Sequence, residues 1–282
     1  MRESVPSRTA LRVALRRAAH QLLDSPRVLD DPLAVPIVGE AIAEIQGSPA
    51  KQNTRTARHF RAFMVARSRL AEDQLAACIA RGVSQYLILG AGLDTSAFRG
   101  VALHGVQAFE VDHPSTQAWK RHRLEAAAIS IPPSVRFVAV NFERQELEDE
   151  LHKSGFRSDR PAFVSWLGVV PYLTREAARH TLLFLGRLPA GSGVVFDYAV
   201  SRSALRLLER MALDALSRRV ARAGEPFRLF FTPEELRRFL TGLGFRKVEQ
   251  LSQQDINALY FSHRTDGLSV AGAAERLVTE WT

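Results

Sequence analysis

Five short apolar runs punctuate the middle of the chain, at residues 86–89, 107–111, 135–138, 162–165 and 193–198. They do not alternate apolar with polar positions, so each predicts a strand buried on both faces. Between them, at 94–98, 114–128, 143–154 and 174–188, apolar residues recur at three- and four-residue spacing, the period of an amphipathic helix. Strand alternating with helix predicts right-handed crossovers and an α/β fold with a doubly wound parallel sheet.

The flanks read differently. Residues 7–70 are helical in pattern, broken at Ser25-Pro26 and across 30–36, and a helix over 64–81 stops at Gly82. After the fifth run a long helix rich in Arg and Leu is expected over 201–223, with a break at 224–226. Thr232 and Glu235 form a capping-box pattern opening a helix over 232–243. Two last strands are expected at 246–251 and 258–263, and a final helix at 270–280. The whole reads as one domain: a helical cap (1–63), a cofactor-binding core (64–198), a helical lid insertion (199–231) and the C-terminal part of the core (232–282).

With 282 residues, 46% hydrophobic and 24% charged, the chain is long enough to bury a large core. Its single cysteine, Cys78, offers no disulfide framework and fits a reducing compartment. The basic N-terminus lacks the apolar centre of a signal peptide, and no run approaches the ~20 apolar residues of a membrane span, so a cytoplasmic protein without a membrane partner is expected. The net charge of +8 invites a nucleic-acid reading. The positive charge, however, is nearly all arginine scattered along helices, and no helix-turn-helix, zinc spacing or aromatic RNA platform is present, so nucleic acid is not expected as a partner.

Candidate chemistry starts at Gly90-Ala91-Gly92, which follows the first strand and precedes Asp94-Thr95, good helix-start residues. Such a turn leaves backbone N–H groups able to face a ligand. Many ligand-free turns share G-x-G; what adds to it is Asp112, twenty residues beyond Gly92 at the end of the second strand, where a carboxylate can accept both ribose hydroxyls. The dinucleotide pattern G-x-G-x-x-G fails because Thr95 stands at its third glycine, and no G-x-x-x-x-G-K-[ST] occurs. S-adenosylmethionine needs an adenosine pocket and partners for a methionine carboxylate and amine, with no phosphate to cradle, which suits GAGLDT better.

The segments MVARSRLAEDQL, GVSQYLILGAGLDTSAFR, FEVDHP and SWLGVVPYLT resemble the leucine carboxyl methyltransferase-like family of S-adenosylmethionine-dependent methyltransferases, including its bacterial natural-product branch. The similarity spans 7–261. It implies a class I methyltransferase (Rossmann-like) fold: a seven-stranded sheet of order 3-2-1-4-5-7-6 with the last strand antiparallel. It also implies that Arg67 pairs with the methionine carboxylate, that Gly90, Ala91 and Gly92 form the cofactor-facing turn, and that Asp112, bordered by His113, holds the ribose. Asn141 and Phe142 would meet the adenine, Asn141 standing where Asp is more usual. Trp166 and Leu167 lie where the methyl should emerge, at a place where many relatives carry a glutamate.

The expected activity is O-methylation of a small molecule, a carboxylate or a polyketide-like hydroxyl, in secondary metabolism. A carboxylate acceptor is ionised at pH 7 and needs no base, whereas a hydroxyl asks for one, and the sequence presents no unmistakable base. His59, His113, His122 and His180 lack metal-ligand spacing, so no metal is expected. Acceptor contacts are expected from the cap and from the insertion after the fifth strand, with Phe63, Tyr172, Tyr198, Arg202 and Phe230 as candidates and the basic, aromatic segment 53–63 able to bind an anion. The competing readings are an NAD-dependent oxidoreductase and a noncatalytic cofactor-binding protein. Either a monomer or a homodimer is compatible with the sequence.

Overall fold

A computed structural model describes residues 7–99, 103, 105–141, 145–222, 224–272 and 274–282. Ser7 accepts a hydrogen bond from the Ala10 N–H at 3.1 Å and starts α1 (Arg8–Leu23). Three short helices follow, α2 (Ala34–Val38), α3 (Ala43–Gln46) and α4 (Pro49–Gln52). Thr54 then caps the long α5 (Arg55–Ala80), after which Gly82, at φ 92°, turns the chain into the sheet.

Strand and helix now alternate: β1 (Gln85–Leu89), β2 (Gln107–Asp112), α6 (Pro114–Ala126), β3 (Val135–Ala139), α7 (Leu147–Lys153), β4 (Phe163–Trp166), α8 (Arg175–Gly186) and β5 (Gly193–Val200). Beyond them come α9 (Leu207–Arg222), β6 (Phe230–Phe231), α10 (Pro233–Thr241), β7 (Lys247–Leu251), α11 (Gln253–Tyr260) and β8 (Glu275–Trp281). The sheet order is β3-β2-β1-β4-β5-β8-β7. The first five strands are parallel, while β8 runs antiparallel to β5 and β7. This is the expected order, with β7 and β8 in the sixth and seventh places and a two-residue addition, β6, paired parallel to the end of β5.

The apolar runs are strands because both faces are covered. Tyr86 and Ile88 pack with α1, α2 and α5 residues such as Ala14, Ile37 and Val65, while Leu87 and Leu89 pack on the other side with Phe109, Leu182 and Leu236. Burying each large side chain contributes roughly 1.5–3 kcal/mol, which outweighs any local preference for alternation.

Four local expectations need correction. The expected strand over 258–263 begins inside α11, because Ser252 and Asp255 cap each other's backbone and start a helix. The expected helix over 270–280 is β8 instead: Leu277, Val278, Thr279 and Glu280 are buried on both faces between β5 and β7, a place only a strand can fill. The expected helix over 94–98 is a single 3-10 turn at Ser96–Phe98, since the Asp94 carboxylate takes the Ser96 N–H at 2.7 Å. The helix expected over 201–223 is interrupted, with a 3-10 turn at Arg202–Ala204 ahead of α9.

Candidate active site

The carboxyl ends of β1, β2, β4 and β5 carry the charged and glycine positions on which chemistry can be built, the usual place in an open α/β sheet. Gly90 and Gly92 both sit at positive φ, +66° and +47°. A Cβ on Gly90 would overlap Val169 Cγ2, and one on Gly92 would lie 3.0 Å from Ala10 Cβ of α1. The turn is therefore wedged between the loop after β4 and the N-terminal helix, and only glycine fits.

Its N–H groups are spoken for, which corrects the expectation that they face a ligand. Gly90 and Ala91 donate to the Val111 carbonyl at 2.8 and 3.1 Å, and Asp94 donates to the Ala91 carbonyl at 2.7 Å. Gly92 donates to Asp112 Oδ2 at 2.6 Å, and His113 N–H donates to Oδ1 at 2.7 Å. These donors offer nothing to a pyrophosphate. Asp112 itself is half-buried, and burial pushes its carboxyl above the ordinary value against the pull of those two N–H groups. Each of its oxygens accepts one backbone hydrogen bond, so lone pairs remain for a diol.

Thr95 explains why the third glycine is missing: its hydroxyl donates to Asp31 Oδ2 at 2.7 Å in the core. Arg17 joins the same cluster, reaching the Leu93 carbonyl at 2.5 Å and Asp31 at 3.3 Å. The helical cap thus grips the far end of the turn.

A second centre lies at Asp197, buried in β5. Its Oδ2 accepts from Arg67 Nη1 of α5 at 3.1 Å, and its Oδ1 accepts from the Gly168 N–H at 2.6 Å. Gly168 has φ +71°, and a Cβ there would lie 2.9 Å from Arg67 Nη2. Arg67 Nε is buried with no hydrogen-bond partner. Of five guanidinium donors, then, one edge serves Asp197 while Nε is left for another acceptor.

Beside this centre is a cavity of ≈ 80 Å³ walled by α1, α5, the 3-10 turn Val170–Tyr172, α9 and the start of β8. Phe60, Met64 and Arg67 line it from one face of α5, at spacings of four and three residues. Arg16 stands 5.2 Å above the Phe60 ring, and burial together with Arg219, Arg61 and Arg12 brings its pKa down to about 10. Glu275 lines the same space; burial and Asp197 raise its carboxyl to about 7 against the pull of Arg67 and Arg16. Tyr172 packs 5.2 Å from Phe227, and burial raises its phenol well above the ordinary range. A wider groove of ≈ 660 Å³, lined by Leu147 and Glu148 of α7, His180 of α8 and Arg187 just beyond α8, contains none of these residues.

The structure sorts the remaining candidates. His113 caps α6 through Nδ1, and the Asn141 N–H donates to Gln145 Oε1 at 2.9 Å. Leu167 is half-buried ahead of Gly168, and Phe142 lies outside the described residues. Trp166 is fully buried against Phe196 in the core, so it presents no surface to a cofactor. Phe63 is likewise a core residue, one position off the cavity face of α5. Tyr198 is buried on the opposite side of the sheet from Asp197, with its hydroxyl donating to Gln250. Arg202 is exposed and paired with Asp214 at 2.5 Å, and Phe230 is not among the residues lining the cavity but packs 6.2 Å from Phe227, which is. Within segment 53–63, Arg61 is committed to Asp24 at 2.6 and 2.8 Å, which leaves Phe60 as the cavity contact. The cavity-lining positions that no sequence signal singles out are Asp197, a lone charge in an apolar strand, Arg16 and Glu275, while Phe60 is covered only by the segment 53–63 as a whole. Among the described residues no group of three His, Cys, Asp or Glu is placed to hold a metal, and no helix is long and apolar enough to cross a membrane.

Comparison with known proteins bears on the family and the fold. The profile of the leucine carboxyl methyltransferase family matches residues 10–186. A Bacillus subtilis protein provisionally named S-adenosyl-L-methionine-dependent methyltransferase YktD is 35% identical, over 95% of this chain and 96% of its own. A Saccharopolyspora erythraea protein, also provisionally named an S-adenosyl-L-methionine-dependent methyltransferase, is 33% identical over 70% of this chain and 69% of its own. A crystal structure from Thermobifida fusca, provisionally titled a methyltransferase, superposes with a TM-score of 0.60 at 16% identity, covering 96% of this chain and 94% of that one. At that identity the likeness concerns the fold.

Proposed function

Because the chain belongs to the leucine carboxyl methyltransferase family, we propose that it is an S-adenosylmethionine-dependent O-methyltransferase whose acceptor is a small molecule with an anionic group. The observation that carries the acceptor class is the cavity beside Gly168. Arg12, Arg16 and Arg219 line it, none forms an ion pair among the described residues, and Phe60, Tyr172 and Phe227 supply apolar walls. Guanidinium groups over aromatic surfaces suit an organic acid.

The residues present fit the donor. Asp112 has acceptor capacity for ribose hydroxyls, the buried Arg67 Nε lacks a partner and suits a carboxylate, and the N–H groups of Gly90, Ala91 and Gly92 are all taken within the protein and not offered to a pyrophosphate. That last point disfavours the NAD-dependent oxidoreductase reading. S-adenosylmethionine supplies a methyl group activated by its sulfonium. The protein's part is positional: Asp197 fixes Arg67 and the Gly168 loop together, so the donor and acceptor sides are held in one rigid frame. The cavity is smaller than the ~300 Å³ of a ligand-sized pocket. Helix α9, which closes it through Leu216, Arg219 and Val220, therefore acts as a lid that lifts to admit the acceptor.

Calorimetric titration of S-adenosylhomocysteine into wild type and Asp112→Ala, with NADH as control, tests the donor site. Micromolar binding to wild type, weakened at least tenfold in the variant, is expected, with no response to NADH. Absence of binding to wild type, or binding indifferent to Asp112, refutes the assignment.

A further inference from the structure

Glu275 opens β8 opposite Ala199, two residues before Leu277, which stands opposite Asp197. The period of a strand thus puts the Glu275 side chain on the same face of the sheet as Asp197 and Arg67, at the wall of the cavity. Its carboxylate accepts no hydrogen bond and forms no ion pair with any described residue, although Arg16 of α1, Arg67 of α5 and Asp197 of β5 all act on it electrostatically. A partly buried carboxylate left without a partner in a cavity lined by arginines is costly for folding alone.

The other oxygen-bearing ionisable groups at the cavity are engaged: both carboxylate oxygens of Asp197 accept hydrogen bonds, from Arg67 and from Gly168, and burial keeps the Tyr172 phenol protonated. Among the described residues no histidine lines the space. A carboxylate acceptor would need no base and would meet repulsion from Glu275.

We propose that Glu275 is a catalytic base: it accepts the proton of a hydroxyl on the acceptor, so the substrate is a hydroxylated organic acid methylated on its hydroxyl while Arg16 and its neighbours hold its carboxylate. This rests on the methyltransferase reading above. The step balances: the hydroxyl oxygen forms its bond to the methyl carbon as the carbon–sulfur bond breaks, that electron pair stays on sulfur, and the hydroxyl proton passes to a Glu275 carboxylate oxygen. A carboxyl titrating at about 7 is well matched to the task, since it is largely ionised just above neutrality and still basic enough to take the proton.

The test is transfer of a radiolabelled methyl group from S-adenosylmethionine to the three hydroxybenzoate isomers, with benzoate as the comparison, for wild type, Glu275→Gln and Glu275→Asp. Products are located by mass spectrometry, and S-adenosylhomocysteine affinity is measured for each variant. The expected result is an aryl ether from at least one hydroxybenzoate, with kcat rising through pH 7. Glu275→Gln should lower kcat about 100-fold or more and abolish that inflection, Glu275→Asp should recover part of the rate, and affinity for S-adenosylhomocysteine should hold within about threefold. Methyl ester formed from benzoate and hydroxybenzoates alike and indifferent to Glu275→Gln overturns the proposal, as does the absence of any transfer while S-adenosylhomocysteine still binds. Failure of wild type to bind S-adenosylhomocysteine at all overturns the methyltransferase reading instead.

Discussion

Replacing Asp197 by Asn exchanges one carboxylate oxygen for an amide nitrogen at a fully buried position. The native carboxylate accepts from Arg67 Nη1 at 3.1 Å and from Gly168 N at 2.6 Å. Asn has a single acceptor oxygen. If that oxygen keeps the Gly168 N–H, the amide NH₂ confronts the Arg67 guanidinium, donor against donor, and leaves a cation 4% exposed without a counter-charge. Removing one partner of a buried ion pair costs about 3–5 kcal/mol. At ~2–4 °C per kcal/mol for a chain of this size, the melting temperature should fall by about 10 °C. Urea unfolding and scanning calorimetry measure the loss. The double variant Asp197→Asn/Arg67→Met is the decisive control: with both charges gone, most of the stability should return while S-adenosylhomocysteine affinity does not. A single variant that loses less than ~1 kcal/mol, or a double variant no better than the sum of the singles, refutes the claim that this pair ties the two halves of the site together.

Two further outcomes follow from the packing. Trp166→Phe should cost about 1–2 kcal/mol of stability, as a core volume change does, yet leave S-adenosylhomocysteine affinity within twofold of wild type by calorimetry; a tenfold loss would place the indole at the cofactor after all. Glu275 is raised from 4.5 to about 7 on folding, so between those values the unfolded chain loses the proton before the folded one does, and its contribution to stability declines as pH rises through that window. Glu275→Gln should therefore match wild type in unfolding free energy near pH 4.5 and exceed it at pH 8 by at most about 3 kcal/mol, read from urea unfolding; equal stabilities at both pH values would show that the side chain is solvated.

The glycine-turn end of the candidate site was legible because its parts are local. The glycine turn and Asp112 sit at the ends of adjacent strands twenty residues apart, and their geometry follows from strand, turn and strand without knowledge of the rest. The cavity end depends on side-chain phase, and phase is set by packing between distant segments. On α5 the aromatic that reaches the cavity is Phe60, since 60, 64 and 67 share a face; counting back from Arg67 by helical spacing finds it, whereas the expected Phe63 faces the core.

The same arithmetic governs β5 and β8. Neighbouring residues of a strand face opposite ways, so choosing Tyr198 as a pocket residue turns Asp197 away from the pocket; the structure makes the reverse choice because Arg67 supplies the counter-charge on the α5 side. Once Asp197 is fixed, the antiparallel register with Leu277 places Glu275 on the same face, two residues nearer the cavity mouth. None of this can be reached while 270–280 is read as a helix, because helical spacing would swing Glu275 about 160° away from Leu277 rather than aligning the two, given ~100° per residue. The strand assignment of β8 is thus what brings an unpartnered carboxylate to the cavity wall. That assignment is dictated by the need to cover β5 along its free edge, a long-range demand that no local pattern in the C-terminal segment expresses.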